Sequence, residues 1–308
     1  MTKISASLVK QLRERSGAGM MDAKNALVET AGDMEAAIDW LRKKGLAQAA
    51  KKAERAAADG LIGMALGDGE AALVEVNAET DFVARNPQFQ DFVTTLASMA
   101  LKVADLDALK VAPYPGTDRS VAEELTQRIA TIGENMSLRR LSKLAVTKGQ
   151  VGGYLHNAVS DGVGRLGVLV ALESEADASI LGDVVRKVAM HAAAFNPAAA
   201  SIDALDPALV AREREVLVEQ ARSSGKPEAV IEKMIEGRLR KFYQEVVLSE
   251  QAFAMDPDRS VAQFIADAAK EAGTPIKLAG FVRLALGEGV EKREENFADE
   301  VAKTRAGK

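Results

Sequence analysis

The sequence predicts an α+β fold, and three observations carry that prediction. Residues 4–45 hold apolar side chains at helical spacing in three short runs. After Gly60 the apolar pattern changes from the helical period of about 3.6 residues to the strand period of about 2. A strand, Gly-rich turn, strand and helix order then occurs twice along the chain. The expected architecture is an N-terminal three-helix domain over 1–55, including the start of a helical connector. Two related α+β core subdomains with antiparallel strands follow, over 56–145 and 146–280. A helical hairpin at about 206–248 is inserted in the second, and a final strand and C-terminal helical module take up 281–308.

Each element has its own signal. Leu8 and Leu12 mark the first helix, Ala23, Leu27 and Val28 the second, and Ala37, Ile38 and Leu41 the third. Gly32 suits a helix C-terminus and Asp33 the next N-cap. "GLAQAAKKAERAAADG" has high helix propensity with a weak apolar stripe, which predicts a helical connector ending at Gly60. "GLIGMALGDGEAALVEVNAETD" reads as two strands around a Gly-Asp-Gly turn, a hairpin signal. After a loop, Asn86 can cap and Pro87 can open a helix whose stripe is Phe89, Phe92, Val93, Leu96, Met99, Ala100 and Val103. The second copy begins at "QVGGYLH", and its helix has Val184, Val185, Val188 and Ala192 on one face. "LVEVN" answers "VLVAL", and "FVTTLASMA" answers "VVRKVAMHA". Leu209, Val210, Val216 and Leu217 lie on one side of "SSGKP", and Val230, Ile231, Met234, Ile235, Leu239 and Phe242 on the other, which predicts an antiparallel helical hairpin. "GFVRLALGEG" alternates as a strand, and the last helix offers only Val290, Phe297 and Val301, a stripe narrow enough to need a second surface.

Composition narrows the function. At 308 residues and 47% apolar content the chain fills two or three cores, since domains run to about 100–150 residues. The absence of cysteine removes disulfides, Cys-ligated zinc, iron–sulfur clusters and thiol nucleophiles together, so a cytoplasmic, reducing location is expected. "MTKISASLVKQLRERSGAG" has no apolar signal region, and no run approaches the roughly 18–20 apolar residues of a membrane span. A net charge of −5 argues against a protein built to grip phosphate backbones, and no direct nucleic-acid binding is expected. Residues 1–55 nevertheless carry eleven Lys or Arg against seven Asp or Glu, which reads either as solvated helix faces or as RNA contact.

The motifs offer little chemistry. "GVGRLG" at 162–167 spells a dinucleotide fingerprint, but a strand follows it where a helix is required, so a hairpin turn with positive φ is the preferred reading. The two histidines, His156 and His191, have no acidic companion at helical spacing, and neither a zinc set nor a catalytic triad assembles. His191 reads as a hydrogen-bonded core or edge residue; His156 ends a strand and is open to either a structural or a contact role. No acid stands in an apolar setting that would mark a raised pKa, and no Ser sits in a GxSxG elbow, so neither an enzyme nor a cofactor is expected. Met20 and Met21 in "GAGMMD", flanked by Arg13 and Lys24, are either core filler or an adaptable docking surface. Phe82 in "TDFVARN" is either a staple tucked onto the sheet or an apolar wedge on an acidic loop.

Several long stretches together resemble the bacterial elongation factor Ts family, the nucleotide-exchange factors of elongation factor Tu. They are "SLVKQLRERSGAGMMDAKNAL", "GDMEAAIDWLR", "EVNAETDFVARNPQF", "IGENMSLRR", "GVLVALES", "KVAMHAAAFNP", "SGKPEAVIEKMIEGRLRKF" and "GEGVEKREENFADEV", in the family's order. The resemblance implies that the first domain is ubiquitin-associated-like. It implies that Thr80, Asp81, Phe82 and Val83 dislodge Mg²⁺ from the partner GTPase, with Phe82 inserting near its nucleotide site. Arg13, Met20, Met21 and Lys24 match positions that touch the GTPase domain, and His156 matches the histidine that meets the partner's third domain. A homodimer and a 2:2 complex are both compatible with the resemblance. Ala23 stands where a Cys is common in the family, and the loop after His156 is longer than in some relatives. The rival reading is a chaperone-type or ubiquitin-like-binding adaptor, based on the three-helix domain alone.

Overall fold

The computed structural model of the chain describes residues 4–222 and 227–290. Phe297 and Val301 of the expected C-terminal helix, and Ser223 to Lys226 of the hairpin turn, lie outside the described residues.

The N-terminal helices are α1 (Ala6–Ser16), α2 (Met20–Glu29) and α3 (Met34–Lys52). Ser5 caps α1 by accepting the Leu8 N–H, and Asp33 caps α3 by accepting that of Ala36. Gly17 and Gly32 end the first two helices with positive φ, of 69° and 89°. Leu12, Ala23, Ala26, Leu27, Ala37 and Leu41 form their core. Two expectations change. Val28 is 57% exposed, because Ala23, Ala26 and Leu27 define the buried face and one residue further is about 100° round the helix. The connector is the continuation of α3, ending at Lys52 and not at Gly60, and Gly60 already belongs to a strand. The helix runs through Gly45, which packs closely on Ala130: a Cβ there would stand 3.4 Å from the Ala130 Cβ, an ordinary contact distance.

The core begins with β1 (Asp59–Leu66) and β2 (Glu70–Ala78), paired around the Gly67–Gly69 turn as the sequence predicts. A four-residue helix, α4 (Asp81–Ala84), precedes α5 (Pro87–Ala100), whose Asn86 cap and first-turn proline are as expected. Then come α6 (Leu106–Val111), α7 (Val121–Ile132) and β3 (Met136–Ala145), a stretch to which the sequence pattern assigned no element. Ser120 and Glu123 form a capping box on α7, a local signal legible in "SVAEE".

The second half contains β4 (Gly149–His156), β5 (Val163–Gly164), β6 (Leu166–Ser174) and α8 (Ala178–Phe195). The helical hairpin is α9 (Pro207–Arg222) and α10 (Glu228–Val246), with Leu217, Ala221, Ile231 and Ile235 buried along it. A short ribbon, β7 (Ala252–Phe253) and β8 (Asp256–Ser260), leads into α11 (Val261–Ala272) and β9 (Ile276–Ala285). The final strand therefore starts four residues before "GFVRLA".

Topology confirms the repeat. One sheet runs β3-β2-β1 with α5 over it, and the other runs β9-β6-β4 with α8 over it. In both, a glycine lies beneath a helical valine: a Cβ on Gly63 would meet Val93 Cγ1 at 2.8 Å, and one on Gly152 would meet Val185 Cγ1 at 2.8 Å. Each sheet also carries a bulge, between Glu75 and Val76 and between Ala171 and Leu172. Those bulges align "LVEVN" with "LVALE" at 169–173, one residue away from the pairing that sequence similarity suggests.

The two sheets pack face to face. Ile62, Ala71 and Leu73 from the first meet Val151, Leu169, Ala171 and Leu284 from the second, so β2 is buried on both faces. Each of the Ile, Leu and Val side chains among them contributes about 1.5–3 kcal/mol of burial. The "GVGRLG" stretch holds the expected turn and adds a crossing between the sheets. Only Gly162 has positive φ, at 75°. Val163 and Gly164 form β5 and cross to pair with β1 of the other sheet, opposite Gly63 and Ile62. Gly167 is there for close approach, since a Cβ would lie 2.7 Å from Leu73 Cδ2. The antiparallel Ser160–Val163 bridge closes the expected hairpin turn over Asp161 and Gly162, and the short strand that leaves it joins the other sheet.

One acid is buried in this apolar setting, although its carboxyl is not raised on balance. Glu75, with no exposed surface, accepts bonds from Arg139 Nη1 at 3.1 Å, Asn77 Nδ2 at 3.0 Å and the Gly287 N–H at 2.9 Å, and also from Arg140 Nε. Burial pushes its carboxyl up, but the Gly287 N–H, Arg140 and Asn77 outweigh that and hold it below its ordinary value of 4.5. Arg139 and Arg140 also donate to Glu288 O and Ala285 O, both at 2.7 Å, so the node ties the end of β9 to the first sheet. Replacing Glu75 with Ala should cost about 3 kcal/mol in urea unfolding, because two partly buried guanidinium groups lose their counter-charge. The depressed carboxyl means that the unfolded chain binds the extra proton. The node's stabilisation is therefore complete above pH 4.5 and lost as pH falls below it. Glu75→Gln should flatten that acid limb.

Candidate functional site

The residues around Phe82 form a preorganised turn, not an open loop. Thr80 is the extended N-cap of α4, and Arg85 and Asn86 return N–H bonds to Phe82 O and Val83 O. A four-residue helix has too few internal bonds to persist alone, so outside contacts must hold it. Val83 and Ala84 are 4% and 2% exposed and belong to the core under α5. Gln90 Nε2 donates to Ala84 O at 3.0 Å, while Glu134 accepts both the N–H and the hydroxyl of Thr80, at 3.0 and 2.7 Å. Asp81 is paired with Arg85 at 2.7 Å. Between these anchors Phe82 is 73% exposed. The staple reading is excluded, and the ring is displayed on a rigid base.

The α2 surface is a second exposed apolar area. Met20 and Met21 are 61% and 64% exposed, so they are not core filler. Lys24 and Val28 follow at helical spacing on the same face, and all four are exposed. Arg13 is exposed on the neighbouring α1, and among the described residues neither it nor Lys24 forms an ion pair. Asp22, between the methionines and Lys24, is instead held by Lys44 at 2.6 Å. The basic excess of the N-terminal region is thus spread over solvated helix faces, some of it paired.

His156 ends β4 and is exposed, with Nδ1 3.1 Å from the Tyr154 hydroxyl. The loop that follows it reaches toward the Phe82 turn: Ser160 Oγ donates to Gln90 Oε1 at 2.8 Å, and Gln90 is the residue that also holds Ala84 O. The structure therefore links the His156 loop and the Phe82 turn through one glutamine. No local pattern flags Gln90 or Glu134, since Ser160 and Thr80, which they hold, lie 70 and 54 residues away.

His191 is a core residue. It has no exposed surface, its Nδ1 accepts the Ala254 N–H at 3.1 Å, and its Nε2 is 2.9 Å from Gln251 Oε1. That pattern requires the neutral ring protonated on Nε2. Burial pushes the imidazole below its ordinary 6.5, only partly opposed by Gln251. Among the described residues no cluster of three or more His, Asp or Glu side chains is placed to hold a metal, and no helix is long and apolar enough to cross a membrane.

A family model described as Elongation factor TS matches residues 79–288, beginning just before the Phe82 turn and ending with the turn after β9. The Elongation factor Ts of Paramagnetospirillum magneticum is 58% identical over 303 residues, covering 98% of this chain and 97% of the relative. That of Agrobacterium fabrum is 57% identical over 303 residues, and that of Rhodospirillum rubrum 58% over 304, each covering 98% of both chains.

Two outcomes follow from the geometry. Phe82→Ala should leave thermal stability within about 0.5 kcal/mol of the wild type, whereas Val83→Ala should cost about 1–3 kcal/mol, measured by urea unfolding. The neutral His191 ring contributes stability that is complete above pH 6.5 and declines as pH falls below it, because the unfolded chain binds the extra proton. In His191→Gln the unfolding midpoint should lose part of its slope below that pH.

Proposed function

The chain belongs to the elongation factor Ts family, and on that premise we propose that it binds the GDP-bound GTPase elongation factor Tu and promotes GDP release during protein synthesis. The observation that supports this reading most is the Phe82 ring, 73% exposed on a turn whose next two residues are anchored in the core. An aromatic ring held out in water on a rigid base is suited to entering an apolar site on another protein, where its burial is worth about 1.5–3 kcal/mol.

In this reading Thr80 and Val83 fix the turn, Asp81 lies beside the partner's nucleotide site, and Phe82 wedges into it. The disturbance dislodges the partner's Mg²⁺, which neutralises phosphate charge, so GDP is held less tightly. Met20, Met21, Lys24 and Arg13 supply an adaptable apolar and cationic contact with the GTPase domain, and His156 a contact with its third domain. No bond is made or broken by this chain; it acts as an exchange factor in the cytoplasm. Linkage is reciprocal, so GTP rebinding weakens the complex by the same factor by which the complex weakens nucleotide. A coupling of about 5.5 kcal/mol, or roughly 10⁴-fold, would switch the population almost completely.

The test is release of fluorescent GDP from purified elongation factor Tu. Wild type should accelerate it strongly, and Phe82→Ala should lose about ten- to hundredfold of that acceleration, matching the ring's burial energy, while complex formation persists. No acceleration by the folded wild-type chain with a matched partner would sink the exchange-factor reading.

A further inference from the structure

The Phe82 turn is tied to the molecule by a reciprocal pair of carboxylates. Glu134 accepts the Thr80 N–H and hydroxyl at 3.0 and 2.7 Å. One residue away the roles reverse, and Glu79 Oε1 accepts the N–H of Asn135. Each acid thus holds the backbone N–H that follows the other acid. Asn135, only 9% exposed, donates from Nδ2 to Arg55 O at 2.8 Å, just beyond the end of α3. Glu79 is also 3.5 Å from Arg55 Nη1. Three segments meet here: the exit of β2, the turn between α7 and β3, and the end of the helix that carries the N-terminal domain.

Thr80 makes no side-chain cap bond to α4, because its hydroxyl is committed to Glu134. The conformation of α4 at its start therefore depends on a carboxylate 54 residues away in sequence. We propose that Glu134 is a positioning residue for nucleotide release. With Glu79 and Asn135 it holds the Phe82 turn in its docking conformation, in fixed relation to the α2 surface, before the partner arrives. A turn ordered in advance lets the ring enter without the entropic cost of ordering it on the partner. This proposal rests on the reading of Phe82 given above. Neither the α2 methionines nor His156 is bonded to Glu134, so their contacts with the partner outlast the clamp and its removal affects release more than association.

The experiment uses the full chain and fluorescent GDP on elongation factor Tu, with Glu134→Ala, Glu134→Gln and Phe82→Ala in parallel. Glu134→Ala should lower the maximal release rate about tenfold and shift the half-saturating concentration less than about twofold. Glu134→Gln should recover most of the rate, since its Oε1 still accepts the Thr80 N–H and its amide can donate to the Thr80 hydroxyl. Hydrogen exchange in the free protein provides the second readout. The Thr80, Arg85 and Asn86 amides should exchange faster in Glu134→Ala, return toward wild type in Glu134→Gln, and leave the β2 amides unchanged. Wild-type rates from Glu134→Ala beside a slowed Phe82→Ala would overturn the clamp alone. Equal losses in the Ala and Gln variants, or loss of β2 protection along with the rate, would overturn it as well. A wild-type rate from Phe82→Ala would overturn the reading of the turn and the clamp with it.

Discussion

The carboxylate of Glu75 is the constraint around which the core is arranged. It sits in the middle of β2, a strand buried on both faces, where an unpaired charge would be prohibitively costly. In a regular strand, neighbouring residues point to opposite faces, so Arg139 and Arg140 could not both reach one carboxylate. The β2–β3 register slips between Glu75 and Val76, and with that bulge both guanidinium groups converge on it. A backbone irregularity is thus coupled to the satisfaction of a buried charge. The remaining acceptor capacity is filled by Asn77 and by the Gly287 N–H from beyond β9. The end of the second sheet is thereby fixed on the first.

The second copy of the repeat has the same bulge but Ala171 in place of the acid. It needs no guanidinium pair there, and its inner face is apolar throughout. The two halves share a topology and a glycine under a helical valine, yet only one carries the ionic node. The pseudo-repeat is therefore symmetric in packing and asymmetric in polar chemistry. The residues proposed for partner contact follow the same asymmetry: the Phe82 turn follows the strand that carries Glu75, while His156 ends a strand of the other half.

The contrast between Phe82 and Val83 shows how a rigid core supports an exposed group. Adjacent residues in one helical turn are buried at 4% and exposed at 73%, and the difference is maintained by Glu134 and Gln90 on either side. Preorganisation of this sort places the ring without any stabilising contact of its own. The same economy is visible on α2, where Ala23, Ala26 and Leu27 secure the helix and leave the two methionines in solvent.

Local signals determined much of this protein. Period, caps and turns specified the three N-terminal helices, the first hairpin, the start of α5 at Asn86 and Pro87, the second strand–turn–strand–helix unit and the hairpin of α9 and α10. These are readable because a cap or an alternating pattern acts within a few residues. The "TDFV" stretch was recognisable as unusual, but whether Phe82 was a staple or a displayed ring was not, because exposure depends on what lies across the fold. Tertiary structure alone decided that question, along with the solvent side of Val28, the run of α3 through Gly45, the crossing of β5 to the other sheet and the one-residue shift between the repeats. It also supplied the partners of Thr80 and, Asn77 apart, those of Glu75, which come from 54 to 212 residues away. A buried charge or an anchored turn is defined by such distant atoms, and one stretch of sequence carries no record of them.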